Sequence, residues 1–144
     1  MDLDEYIAST TVEINTTPDK VWEALTNPEM IKQYMFGAEA VSDWKKGSSL
    51  IYRGEWEGKS YEAKGTILEI EPNKILKTTY FSPMSGLEDK PENYNTVTYL
   101  LSPNSDGGTI LTVTQTNNKS EDAARRAEDN WSKALEKIKE LLES

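Results

Sequence analysis

The residue types that most often carry catalysis are missing from this chain of 144 residues, which has neither histidine nor cysteine. That removes the usual general base at neutral pH and the commonest metal ligand. It also removes Ser-His and Cys-His nucleophiles, disulfides and thiolate-held zinc. For proton chemistry there remain carboxylates in strand-like segments (Glu55, Glu57, Glu62, Glu69 and Glu71) and seven tyrosines. A tyrosine beside a carboxylate could move a proton, but no spacing singles out such a pair. Period-two alternation puts Glu55 and Glu62 on an outer, solvated face. There is no G-x-S-x-G elbow, no phosphate-binding glycine loop and no metal-ligand spacing. The sequence assigns no catalytic residue, no metal site and no cofactor.

Charge narrows the partners. Twenty-five acidic against 16 basic residues leave a formal charge of −9, which argues against nucleic acid, whose phosphates need a basic face. No apolar run approaches the roughly 20 residues that span a bilayer, so no stable membrane insertion is expected. The acidic start MDLDEYIASTT lacks the basic flank and apolar stretch of a signal peptide. The expectation is a cytoplasmic protein of one domain over residues 1–144, long enough to bury a core without staples.

The elements that must position any site follow from local pattern. Tyr6 to Asn15 reads as a strand with Thr10, Val12 and Ile14 on one face. TTPDKVWEALTNPEMIKQYM then reads as a helix stopped and restarted, with Pro18 and Pro28 at first helical positions, Thr17 and Asn27 as caps, and Asp19 near the positive end of the first dipole. GSSLIYRGEWEGKSYEAKGTILEIEP holds two alternating runs joined at Glu57-Gly58-Lys59, a hairpin signal. Leu68 and Ile70 break the phase of the second run, which predicts a bulge near Ile67. Ile75 to Phe81, Tyr94 to Leu101 and Ile110 to Thr116 complete the strands, with a hairpin turn at NSDGGT. Finally, SEDAARRAEDNWSKALEKIKELLES carries a Ser120 cap and one apolar stripe through Ala124, Ala127, Trp131, Leu135, Ile138 and Leu142.

Strands joined by tight turns favour an antiparallel sheet, and a helix with one apolar stripe must bury it on that sheet. The predicted class is α+β with a helix-grip fold. A curved antiparallel sheet of about six or seven strands wraps a long C-terminal helix, with two short helices after the first strand. In this arrangement TPDKVWEALTNPEMIKQY resembles the N-terminal signature of the START-like, birch-pollen-allergen-like (SRPBCC) superfamily. More closely, it resembles the branch of homologues of the activator of the heat-shock-protein-90 ATPase. The turn from Trp44 to Gly47, Gly65 and Ile67 leading to Glu69, Ile70 and Pro72, Leu76 and Trp131 extend the resemblance over nearly the whole chain.

The resemblance implies a cavity between sheet and long helix. Alternation assigns its sheet wall to Tyr52 and Trp56, then Tyr61 and Ala63, then Thr78 and Tyr80. Tyr99 and the run Leu111, Val113 and Gln115 continue the wall, and the helix adds Ala127 and Trp131. Met30, Tyr34 and Met35 are placed near its mouth. Gly54, Gly65 and Ala63 are small residues where large ones would fill a core, and inward tyrosine hydroxyls need partners that a partly wet cavity would supply. Met84 and Leu87, in the long connection 82–95, either fold over the cavity as a lid or belong to a mobile acidic loop. The resulting expectation is binding of a hydrophobic or amphipathic small molecule, lipid-like or aromatic. The alternatives that the resemblance adds are a protein-interaction module of co-chaperone type, which would need a protein partner, and a cyclase- or hydrolase-like enzyme.

Overall fold

The computed structural model describes residues 6–34, 37–56, 58–81, 88–104, 106–118 and 120–143, with Trp56, Lys59, Tyr61 and Pro91 described by their backbone alone. Strand β1 (Tyr6–Ile14) leads into helices α1 (Pro18–Thr26) and α2 (Pro28–Tyr34). Strands β2 (Glu39–Ser42), β3 (Ser49–Trp56), β4 (Lys59–Glu71) and β5 (Ile75–Tyr80) follow, then a single 3-10 turn (Pro91–Asn93). Strands β6 (Asn95–Pro103) and β7 (Thr109–Asn118) precede the long helix α3 (Glu121–Glu143). One seven-stranded sheet runs in the order β1-β7-β6-β5-β4-β3-β2, and every neighbouring pair is antiparallel. This is the helix-grip α+β architecture.

The bend between the short helices is written at Asn27. Its extended backbone suits a residue before proline, and its N–H closes α1 on the Glu23 carbonyl at 2.8 Å. Its side-chain oxygen accepts the Glu29 N–H at 3.0 Å, so one residue ends α1 and caps α2. Thr17 occupies the corresponding place before α1 but makes no side-chain bond to the helix backbone. Its hydroxyl goes to Asp19 instead, holding that exposed carboxyl below its usual range. Tyr34 then locks the bend, donating its buried hydroxyl to the Ala24 carbonyl at 2.9 Å.

The β3–β4 hairpin turns at Gly58, whose φ of +81° is the left-handed conformation that glycine takes without strain. Trp56 faces Lys59 across the turn, and Tyr52 faces Ala63 further along. Strand β4 next crosses from β3 to β5. Lys64 and Phe81 exchange backbone hydrogen bonds of 2.9 and 2.7 Å, and the Thr66 N–H bonds the Thr79 hydroxyl at 2.8 Å. A Cβ added at Gly65 would lie 1.8 Å from the Thr79 carbonyl oxygen. The smallness of Gly65 therefore admits a neighbouring strand's backbone, not a ligand. The expected bulge is present as a register shift between Ile67 and Glu69, which turns Leu68 out to solvent.

Helix α3 is capped by the Ser120 hydroxyl, which accepts the Ala123 N–H at 3.0 Å. It lies chiefly along the edge strand β1, with less contact to β7, α1 and α2. Ala134, Leu135 and Ile138 bury its stripe against a core that includes Ile14, Leu111 and Val113. Its polar flank meets the edge of β1. Glu128 accepts the Ser9 N–H at 3.2 Å, Lys139 donates to the Glu13 carbonyl at 2.8 Å, and Glu143 accepts the Asn15 N–H at 2.8 Å. An edge strand left open would invite another chain, and here side chains of α3 occupy it.

Two predictions follow from these contacts. Gly65→Leu should cost several kcal/mol, on the order of a severe core defect, because backbone must move; chemical denaturation reads this, and a loss under about 1 kcal/mol would contradict the crossing. Glu143 is held below its ordinary value of 4.5 by Lys139 first and the Asn15 N–H second. A depressed carboxylate contributes stability present above its unfolded pKa and lost as pH falls through the folded value. Thermal unfolding followed below pH 4.5 should show a shallower acid loss in Glu143→Gln than in the parent.

Candidate ligand-binding site

Helix α3 packs chiefly on β1 and less on β7, and reaches little toward β3 to β6. Alternation in β3, β5 and β6 sends Tyr52, Tyr80 and Tyr99 to the concave surface, and α3 contributes Trp131. The register explains how they meet: Leu76 faces Tyr99, and Tyr99 faces Val113. The Tyr52 and Tyr80 rings lie 6.4 Å apart at 52°. Tyr99 and Trp131 lie 5.6 Å apart at 85°, the edge-to-face geometry that ring quadrupoles favour. Ala63 faces Tyr52 across the β3–β4 pair, and Thr78 lies two residues before Tyr80 on β5; both are small and buried.

Polar groups in this surface pair with one another. The Trp131 indole N–H donates to the Gln115 side-chain oxygen (Oε1) at 2.9 Å, and the Gln115 side-chain amide donates to Asn118 Oδ1 at 2.8 Å. The Asn118 amide in turn donates to the Tyr6 and Gln115 carbonyls, both at 2.9 Å. Tyr52 and Tyr99 lie near enough for each to perturb the other's ionisation, Tyr99 lowering Tyr52 and Tyr52 raising Tyr99. Burial is the larger effect, pushing Tyr34, Tyr52 and Tyr99 all above the ordinary phenol value. Among the described residues, no buried side-chain nitrogen or oxygen lacks a partner. The Tyr34 hydroxyl thus needs no water to satisfy it.

The structure brings Tyr52, Tyr80, Tyr99, Gln115 and Trp131 together, with half-buried Ala127 one turn before Trp131 on the helix. Leu111 and Val113 lie fully in the core. Tyr34 is buried and committed to α1, so it lies beneath the surface and not at a mouth; Met30 is half-buried against the same core. Met35, Met84 and Leu87, and the side chains of Trp56 and Tyr61, lie outside the described residues.

A carboxylate does meet a tyrosine, but on the surface. Asp89 pairs with Lys64 at 2.5 Å and accepts the Tyr94 hydroxyl at 2.6 Å, while Tyr94 stacks on Phe81 at 5.2 Å. Lys64 first, and Tyr94 second, hold the Asp89 carboxyl below its usual range, which weakens it as a base. The trio anchors the end of the connection before β6. Asn117 reinforces that anchor, donating to the Glu92 and Tyr94 carbonyls, both at 2.9 Å. Sequence reasoning missed both anchors; a pair of asparagines ending a strand, with Asn117 at φ +59°, was the available signal. Among the described residues there is no group of side chains suited to a metal and no buried carboxylate. No helix of the described residues is long and apolar enough to cross a membrane.

Comparison with known proteins agrees with this geometry. Residues 15–143 match the family described as Activator of Hsp90 ATPase homolog 1-like protein. The chain is similar to a Cytophaga hutchinsonii protein solved in solution, at 48% identity over 99% of this chain and 97% of that one, with a TM-score of 0.85. A Mesorhizobium loti protein is 25% identical over 95% and 96%, with a TM-score of 0.76. The Aha1 dimer from Colwellia psychrerythraea shares the fold at 17% identity over 94% and 95%, with a TM-score of 0.73. No curated protein matches the chain.

Buried tyrosines make the site measurable by alkaline titration. Their raised folded values mean that the stability they carry is fully present below 10.0 and is lost as pH climbs from there toward those values. Phenolate absorbance of the folded protein should therefore lag behind that of the denatured chain, and Tyr99→Phe should shrink the lag. Ionisation of all seven tyrosines near the ordinary value, with the fold intact, would contradict the burial.

Proposed function

The chain belongs to the Activator of Hsp90 ATPase homolog 1-like family, and from that premise we propose that it binds a small hydrophobic or amphipathic molecule between α3 and the sheet. The family fold supports a ligand-binding or interaction domain in general. One observation carries the finer reading: α3 packs along β1, so the concave surface beyond it ends in the aromatic set Tyr52, Tyr80, Tyr99 and Trp131. Of these, Tyr80 and Trp131 are only partly buried. A domain built only to seal its core has no need to leave a tryptophan and a tyrosine partly open on the same surface. Apolar walls with a few neutral polar groups are the ordinary make-up of a small-molecule site.

A protein-interaction role is the second reading, and the outer face of the sheet favours it. The row Thr11, Thr112, Leu100 and Ile75 crosses four strands without a charge, and Leu100 is 46% exposed. On a chain of charge −9, that is where a second copy would meet least repulsion. The Colwellia relative is itself a dimer. If this face is used, sedimentation should show self-association that Leu100→Glu abolishes.

For the first reading, native mass spectrometry of freshly purified protein should show a co-purified small molecule. Ala127→Phe, which adds a ring one turn from Trp131, should lose it while circular dichroism stays unchanged. A variant that folds and still retains the molecule would place binding elsewhere.

A further inference from the structure

The chemical character of the concave surface narrows what could occupy it. Among the described residues, the buried polar side chains are neutral: Thr78, Thr109 and Asn118, together with the tyrosines Tyr34, Tyr52 and Tyr99. No lysine, arginine, aspartate or glutamate among them is buried. Several of the neutral groups are also already paired. Tyr34 is spent on the Ala24 carbonyl, the Trp131 indole on the Gln115 side-chain oxygen, and the Asn118 amide on the Tyr6 and Gln115 backbone carbonyls. Among the described residues, an entering charge would therefore meet no buried counter-ion.

We propose that this surface takes uncharged, flat, largely apolar ring compounds and rejects their anionic counterparts. The proposal rests on the reading that the space beside Trp131 is a binding site, and it names the class of ligand. Three physical arguments converge on it. Moving an ion into an apolar site without a partner costs several kcal/mol even after relaxation, whereas a neutral ring loses little. Ring faces and edges at Tyr52, Tyr80, Tyr99 and Trp131 offer stacking and edge contacts to a flat molecule. The chain's charge of −9 adds a repulsive field against anions approaching from solvent. The pairing already present at Tyr34, Trp131 and Asn118 also weighs against heavily hydroxylated molecules such as sugars, because few partners remain for many buried hydroxyls. Fatty carboxylates and phosphate-bearing lipids fall outside the class for want of a buried cation among the described residues.

The test uses two fluorescent probes of one skeleton, N-phenylnaphthylamine, which is neutral, and its sulfonated analogue anilinonaphthalene sulfonate. The neutral probe should give a saturable, single-site rise in fluorescence, with the sulfonate weaker by at least about tenfold. Ala127→Phe serves as the control: signal from the site should vanish in it, and sulfonate signal that persists reports the outer surface. Equal or tighter binding of the sulfonate, abolished by Ala127→Phe, would overturn the charge selection while leaving the site in place. Absence of saturable binding by either probe would overturn the site itself, and the selection with it.

Discussion

The docking of α3 along the edge strand β1 is the contact on which the rest of the molecule depends. It does two jobs with two flanks of one helix. The apolar flank, through Leu135 and Ile138, completes the core. The polar flank, through Glu128, Lys139 and Glu143, meets backbone groups that β1 has no further strand to satisfy. A helix tied to one side of a curved sheet cannot also cover the other side. That asymmetry is what leaves Trp131 facing Tyr99 across the concave surface.

The two short helices answer to the same geometry. A single helix through this stretch would run straight past the end of α3, whereas a bend lets α1 and α2 both touch it while α2 turns toward β2. Asn27 supplies the bend through its extended backbone and its cap, and Tyr34 fixes the angle from inside. The bend is a requirement of packing first, and its contribution to the aromatic concave surface is indirect.

Much of this was legible in the sequence because it is written at short range. Alternation in β3 and β4 assigned faces correctly, and the broken phase at Leu68 and Ile70 announced the bulge. Asn27-Pro28 and Ser120 stated two helix starts, both made by side-chain caps. What could not be read depends on partners far along the chain. Gly65 was small for a reason that only the position of Thr79 reveals. Tyr34 had the spacing of a residue on an apolar face, but the Ala24 carbonyl that takes its hydroxyl is set by the angle between helices. Thr17 had the type and place of a cap, yet Asp19 two residues on competes for its hydroxyl. The strand β2 is four residues long, too short for alternation to distinguish from loop. Of the site, the sequence named the aromatic members; that Gln115 and Asn118 would absorb the polar edge of Trp131 follows from β7 and α3 meeting, not from either alone.

The claim that binding occurs beside Trp131 is tested most directly by two-dimensional amide NMR of the protein titrated with a neutral naphthylamine. The account predicts that the Trp131 indole N–H and backbone amides of β5 and β6 shift together and saturate, with the outer-face amide of Leu100 unmoved. Shifts confined to the outer face, or none at the Trp131 indole while the probe is bound, would contradict it.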